Sequence, residues 1–119
     1  MTFVADTSVL IAPPAGEDDE PIVISAISVG ELHAGVELAP DDTTRSARLA
    51  RLTAIIASVP VLPVDTTVAA RYGELRRASR RAPSNDLWIA ATALAHDMTL
   101  LTRDDRLAAL PLVRVHHVT

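Results

Sequence analysis

SNDLWIAATALAHDMTLLTRD, residues 84–104, is the stretch that decides the fold. Leu87, Ile89, Ala90, Ala93 and Leu94 recur with a helical period, which predicts a helix from 87 to about 96 that starts at Ser84-Asn85-Asp86. Residues 98–102 read as a buried strand, and Arg103-Asp104-Asp105 leads into one or two turns of helix reaching 110. Helix, strand and helix in close succession are the rhythm of an α/β domain with a parallel sheet.

The flanking sequence repeats that rhythm. Residues 2–5 form a short buried strand ending at Asp6-Thr7-Ser8, and Ser8 caps a brief helix over 9–12 that Pro13-Pro14 must end. Residues 13–20, PPAGEDDE, read as a polar loop whose acidic run is solvated. Residues 21–25, PIVIS, are β-branched and predict a second strand. Ser28 is the expected N-cap of the next helix, with Ser28-x-x-Glu31 as a capping box. Thr43 or Thr44 then opens a third helix. Its Ala47, Leu49, Ala50, Leu52, Ile55 and Ile56 are expected to face inward, with Arg45, Arg48 and Arg51 toward solvent.

A short third strand over 61–64 is expected at a sheet edge because Pro60 and Pro63 flank it. Residues 65–67 begin a fourth helix carrying Arg71, Arg76, Arg77, Arg80 and Arg81, and Pro83 closes it. Residues 113–118 make a closing strand. The expectation is one α/β domain over 1–119, with a mostly parallel sheet of about five strands flanked by helices.

Composition bounds the function. At 119 residues the chain accommodates one core, and with 49% hydrophobic but only 3% aromatic residues that core must be aliphatic. The absence of cysteine removes disulfides, zinc-thiolate sites and thiol nucleophiles. The N-terminus lacks the pattern of a signal peptide, and no apolar run approaches the roughly 20 residues needed to span a bilayer. A cytoplasmic protein with no membrane partner is expected. The net charge of −4 argues against general nucleic-acid binding, yet all non-histidine basic residues are arginines, most of them gathered in two segments. Such clusters suit local phosphate binding, or else a solvated helix face.

Four acids stand where strands end or helices begin: Asp6, Glu31, Asp86 and Asp104. Singly, each has an ordinary explanation: a turn for Asp6, the capping box for Glu31, a helix dipole for Asp86 and a helix cap for Asp104. Jointly they fall at the carboxyl ends of parallel strands, which open into one crevice. With no lysine to neutralise them, and only Arg103 directly adjoining one, the group calls for a divalent cation of the oxygen-seeking kind, Mg²⁺ or Mn²⁺. Phosphodiester hydrolysis suits such a site, because metal ions both acidify water and stabilise transition-state charge.

The segments Ala5-Asp6-Thr7-Ser8-Val9-Leu10, Ser25 to Gly35, Asn85-Asp86-Leu87-Trp88-Ile89-Ala90-Ala91-Thr92-Ala93 and Leu101-Thr102-Arg103-Asp104 resemble the PIN-domain ribonucleases, closest to the VapC toxins of toxin–antitoxin pairs. The resemblance spans essentially the whole chain. It implies that Asp6, Glu31, Asp86 and Asp104 hold one or two Mg²⁺ or Mn²⁺ ions, supported by Thr7 and Thr102. It implies RNA cleavage by metal-activated water, leaving a 5′-phosphate and a 3′-hydroxyl. It also implies a homodimer inhibited by a small DNA-binding VapB-like antitoxin, through which alone operator DNA is reached.

Two departures stand out. The segment between the first two strands is short and proline-interrupted, and His96-Asp97 stands where many relatives carry glycine, a turn that Asp can still make. Asp105 is read as the cap of the last helix. His33, His96, His116 and His117 are read as incidental, the last two pointing apart across a strand. Trp88 and Tyr72 are read as packing residues, with base stacking the sharper alternative. The competing functions are a PIN-fold protein serving mainly as a non-catalytic partner in a DNA-bound repressor complex, and a phosphotransfer domain. The latter is disfavoured by the missing lysine and the lack of a second Asp two residues after Asp6.

Overall fold

The computed structural model describes residues 1–12 and 20–119; the loop expected over 13–20 lies, apart from Glu20, outside the described residues. Five strands, β1 (Phe3–Ala5), β2 (Ile22–Ser25), β3 (Val61–Leu62), β4 (Thr99–Thr102) and β5 (Val115–His117), form one sheet in the order β3-β2-β1-β4-β5. Every pairing is parallel. The chain builds outward from β1 in one direction and then restarts on its other side with β4, so the strand order reverses beside β1. In open parallel sheets the functional crevice lies outside the carboxyl ends of the strands at that reversal.

Helices α1 (Thr7–Ile11), α2 (Ala26–Glu37), α3 (Asp42–Ser58), α4 (Thr66–Ala78), α5 (Ser84–Ala95) and α6 (Asp105–Ala108) supply the crossovers that parallel strands require. Alternation along the strands divides the core in two. Val4 and Leu100 point to one face, where Val68 and Leu75 of α4, Leu87 and Ile89 of α5 and Leu107 of α6 cover them. Phe3, Ala5 and Leu101 point to the other, against Val9 and Leu10 of α1. Apart from Phe3, the buried hydrophobic residues are aliphatic, as the composition requires.

Several local expectations are corrected. α2 begins at Ala26, not after Ser28: Ser25 ends β2 and its side chain accepts from the Ile27 N–H at 3.0 Å, so strand passes into helix with no intervening loop. Ser28 is therefore inside the helix, its hydroxyl buried and unpartnered, and no capping box forms with Glu31. Ser8 likewise lies within α1, which Asp6 precedes. Asp41, rather than Thr43 or Thr44, caps α3 by accepting from the Thr44 N–H at 2.7 Å. Asp104, rather than Asp105, caps α6 by accepting from the Arg106 N–H at 2.8 Å.

On α3 the expected inner face is mostly outside. Leu52 is buried, but Leu49 and Ile56 stay 49% and 46% exposed, because only one edge of this helix meets the domain. The edge position of β3 agrees with the flanking prolines. Asp97 adopts φ 52, the left-handed turn expected of it. Tyr72 and Trp88 stack with ring centroids 4.0 Å apart, a packing role for both.

Candidate active site

Parallel register brings the carboxyl ends of β1 and β4 side by side, and with them Asp6, the first residue past β1, and Thr102, the last of β4. Asp6 is buried, at 5% exposure, and its side chain makes no helix-capping bond. Its Oδ2 instead accepts from the Thr102 hydroxyl at 2.6 Å and from the Ser8 hydroxyl at 2.7 Å. The Thr102 oxygen accepts in turn from the Asp104 N–H at 2.9 Å, and the Ser8 oxygen from the Arg103 N–H at 3.1 Å. Both chains of bonds end on the same carboxylate oxygen, leaving Oδ1 unengaged by them.

Glu31 sits on α2 and reaches back to α1: its Oε1 accepts from the Thr7 hydroxyl at 2.7 Å. A longer contact, 3.5 Å, joins Asn85 Nδ2 to Oε2. Asp86 lies in the first turn of α5, which has Pro83 before it and no side-chain cap. Its Oδ2 is buried without a hydrogen-bond partner. Burial, then repulsion from Asp104 and more weakly from Asp6 and Glu31, pushes its carboxyl above the ordinary aspartate range, with Arg106 opposing. Asp104 goes the other way. Burial would raise it, but the Arg106 N–H and guanidinium hold it below the usual value. Of this repelling pair, Asp86 is the residue that keeps its proton longer.

The four predicted acids thus share one electrostatic neighbourhood. No three His, Cys, Asp or Glu side chains among the described residues are gathered closely enough to hold a metal ion as they stand. Asp104 is also partly committed to capping α6. The donor set nonetheless fits a hard divalent cation. An ionised carboxylate whose buried oxygen has no partner is costly, and every candidate ligand atom is oxygen. Mg²⁺ commonly binds through only one or two carboxylates and keeps several waters.

Thr7 and Thr102 stand beside the acids, as expected. Sequence reasoning missed Ser8 as a partner of Asp6, and Asn85 as a partner of Glu31. It also took Arg103 for the neighbouring cation. Arg103 turns away to the carbonyls of Ala12 and Thr119, and Arg106 is the guanidinium near Asp104, at 3.5 Å. Asp105 faces His117 Nε2 at 3.1 Å rather than the acids. Among the histidines, His116 lies edge-on to Phe3, the opposite side from His117.

Comparison with known proteins gives this geometry a context. The family model described as PIN domain matches residues 3–112. Ribonuclease VapC5 of Mycobacterium tuberculosis is 38% identical over 117 residues, covering 90% of this chain and 86% of that protein. Ribonuclease VapC4 of the same organism is 36% identical over 122 residues, covering 94% and 93%. The crystal structure of VapBC-5 from Mycobacterium tuberculosis, a member of the VapBC family of toxin–antitoxin systems, superposes with a TM-score of 0.86 at 36% identity. It covers 98% of both chains.

Proposed function

We propose that this chain, which belongs to the PIN domain family, is a Mg²⁺-dependent endoribonuclease, the toxin of a type II toxin–antitoxin pair. The observation that carries the reading is the buried, unpartnered Oδ2 of Asp86, set among three further carboxylates at the carboxyl edge of a parallel sheet. Relatives named as ribonucleases match nearly the whole chain, and their printed names supply the substrate class.

In this reading Asp6, Glu31, Asp86 and Asp104 hold Mg²⁺, with Mn²⁺ able to substitute. When bound, the ion supplies a more acidic water and a charge that offsets the negative transition state of phosphodiester hydrolysis. The chain's own groups do the positioning. Thr102 and Ser8 orient Asp6 through Oδ2, and Thr7 orients Glu31. Outer-shell hydrogen bonds of this kind fix the direction of a ligand's lone pairs and its basicity. No histidine or cysteine nucleophile is needed.

The partners follow from the same reading. A small DNA-binding antitoxin inhibits the site, and operator DNA is met only through it. A hollow of about 560 Å³ lined by Ile27, Gly30, Glu31, Ala34, Leu38 and Asn85 is the surface we assign to the antitoxin, since it joins apolar wall to an acidic residue. The exposed Leu49 and Ile56 on α3 suit burial between two copies of the chain, giving a homodimer. Residues 1–119 act as one PIN domain. No helix among the described residues is long and apolar enough to cross a membrane, and we place the protein in the cytoplasm.

The test is cleavage of total cellular RNA by the purified chain and by Asp86→Asn, each with Mg²⁺ and with EDTA. Discrete fragments from the parent alone, lost with chelator, are expected. A folded, Mg²⁺-supplied parent that cleaves no cellular RNA would favour a non-catalytic role in a repressor complex.

A further inference from the structure

The two arginine segments are structurally unlike. In α4, Arg71 pairs with Glu74 at 2.7 Å, and Arg76 is consumed by the carbonyls of Arg80 and Ala82 and the hydroxyls of Tyr72 and Ser84. In α3, Arg45 pairs with Asp42, whereas among the described residues Arg48 and Arg51 form no ion pair, Arg48 acting on Asp41 only at longer range. Arg48 and Arg51 line a second hollow, of about 250 Å³, together with Thr7, Ile11, Leu32 and Glu31. Glu31 and Gly35, one helical turn apart, border both this hollow and the larger one, so α2 forms the wall between them.

The chemistry of the smaller hollow is asymmetric. Its lining joins the half-buried, hydrogen-bonded pair Thr7 and Glu31 to the exposed Arg48 and Arg51. Arg48 Nη1 donates to the Gly35 carbonyl at 2.7 Å, which lays the side chain across α2; its other N–H groups make no hydrogen bond among the described residues. Arg51 makes no hydrogen bond or ion pair among the described residues, although Glu31 lines the same hollow. Three residues apart on one helix, the two side chains are neighbours on a single face.

We propose that Arg48 and Arg51 form a phosphate clamp for the RNA strand, holding the backbone beside the phosphodiester presented to the carboxylates. The inference rests on the ribonuclease reading above. A chain of net charge −4 with clustered carboxylates repels a polyanion, so productive binding requires local cations at the mouth of the site. Planar guanidinium groups with free N–H forks match phosphate oxygens in pairs. A merely solvated helix face does not account for both arginines lining the hollow that ends on Glu31.

The test measures equilibrium binding of a fluorescein-labelled, short single-stranded RNA of mixed sequence, in Mg²⁺ and across a salt series. Asp86→Asn serves as the background so that the probe survives. Adding Arg51→Gln is expected to weaken binding roughly three- to tenfold and to reduce the slope of log affinity against log salt by about 0.7, the value for one phosphate contact on a single strand. Arg48→Gln should add a similar decrement. Arg51→Lys should keep most of the slope, because the charge remains. Because Arg51 has no hydrogen-bond or ion-pair partner among the described residues, its variant separates RNA contact from folding.

Arg77→Gln, on the exposed end of α4, is the control and should leave the slope unchanged. RNA bound with the same slope after Arg51→Gln, or an equal loss with Arg77→Gln, would overturn the clamp while leaving the nuclease reading intact. No RNA binding even with both arginines present would overturn the two together.

Discussion

The Thr102 hydroxyl donates to Asp6 Oδ2 at 2.6 Å, joining residues 96 positions apart in the chain. The same oxygen receives the Asp104 N–H, so one buried threonine couples two of the four acids. Thr102→Val keeps the shape and removes both bonds. Loss of an outer-shell partner is expected to cost about 10- to 100-fold in Mg²⁺ affinity or activity. Calorimetric titration with Mg²⁺ beside the cleavage assay checks this.

Asp86 gives a pH signature. Its folded-state carboxyl lies above the ordinary range, chiefly through burial and then through Asp104. The folded state therefore binds the proton more tightly than the unfolded state. The resulting stabilisation is fully present below the unfolded value and is lost as pH rises through the folded one. Metal-free protein should lose thermal stability across that window, and Asp86→Asn should lack that component of the slope. Neutral-pH melting of metal-free Asp86→Asn should accordingly match or exceed the parent, a trade of stability against function expected at strained sites. Parallel pH series of melting curves for the two proteins would show it.

Gly30 offers a stabilising change. It lies exposed within α2, and a methyl group added there would meet nothing within 4 Å. Gly30→Ala should stabilise the isolated chain by about 0.5–1 kcal/mol through backbone entropy and helix propensity. Denaturant unfolding measures the gain directly, and a loss would mean that the helix at Gly30 is not as described.

Arg76 staples the loop that launches α5. It donates to the Arg80 and Ala82 carbonyls at 3.1 and 2.8 Å, and to the Tyr72 and Ser84 hydroxyls at 3.1 and 3.2 Å. Arg76→Ala should destabilise by about 1–3 kcal/mol. Arg76→Lys should recover only part of this, because a single ammonium cannot reproduce the planar fork. Chemical unfolding of the three proteins distinguishes these outcomes.

Much of the architecture was legible because hydrophobic pattern encodes it. The strand rhythm around Val4, Ile24 and Leu100, and the apolar face of α5 from Leu87 to Ala93, each follow from periodicity. The positions of Asp6 and Asp104 follow too, since they fall just past the ends of β1 and β4. What escaped were features decided by tertiary neighbours. Whether Ser25 or Ser28 starts α2 depends on a strand–helix junction without a loop, and both serines are plausible caps in isolation. Ser8 looks like a cap until the end of β4 brings the Arg103 N–H, 95 positions away, onto its hydroxyl. The amphipathic reading of α3 failed because most of its apolar side, Leu49 and Ile56 included, stays exposed among the described residues.

The most direct test of the account is Mn²⁺ binding followed by electron paramagnetic resonance, with the parent chain, Asp6→Asn and Asp86→Asn. Saturable binding by the parent is expected, displaced by Mg²⁺ and weakened at least about tenfold in each folded variant. Absence of binding by the parent, or equal binding by all three, would contradict a metal site built from these carboxylates.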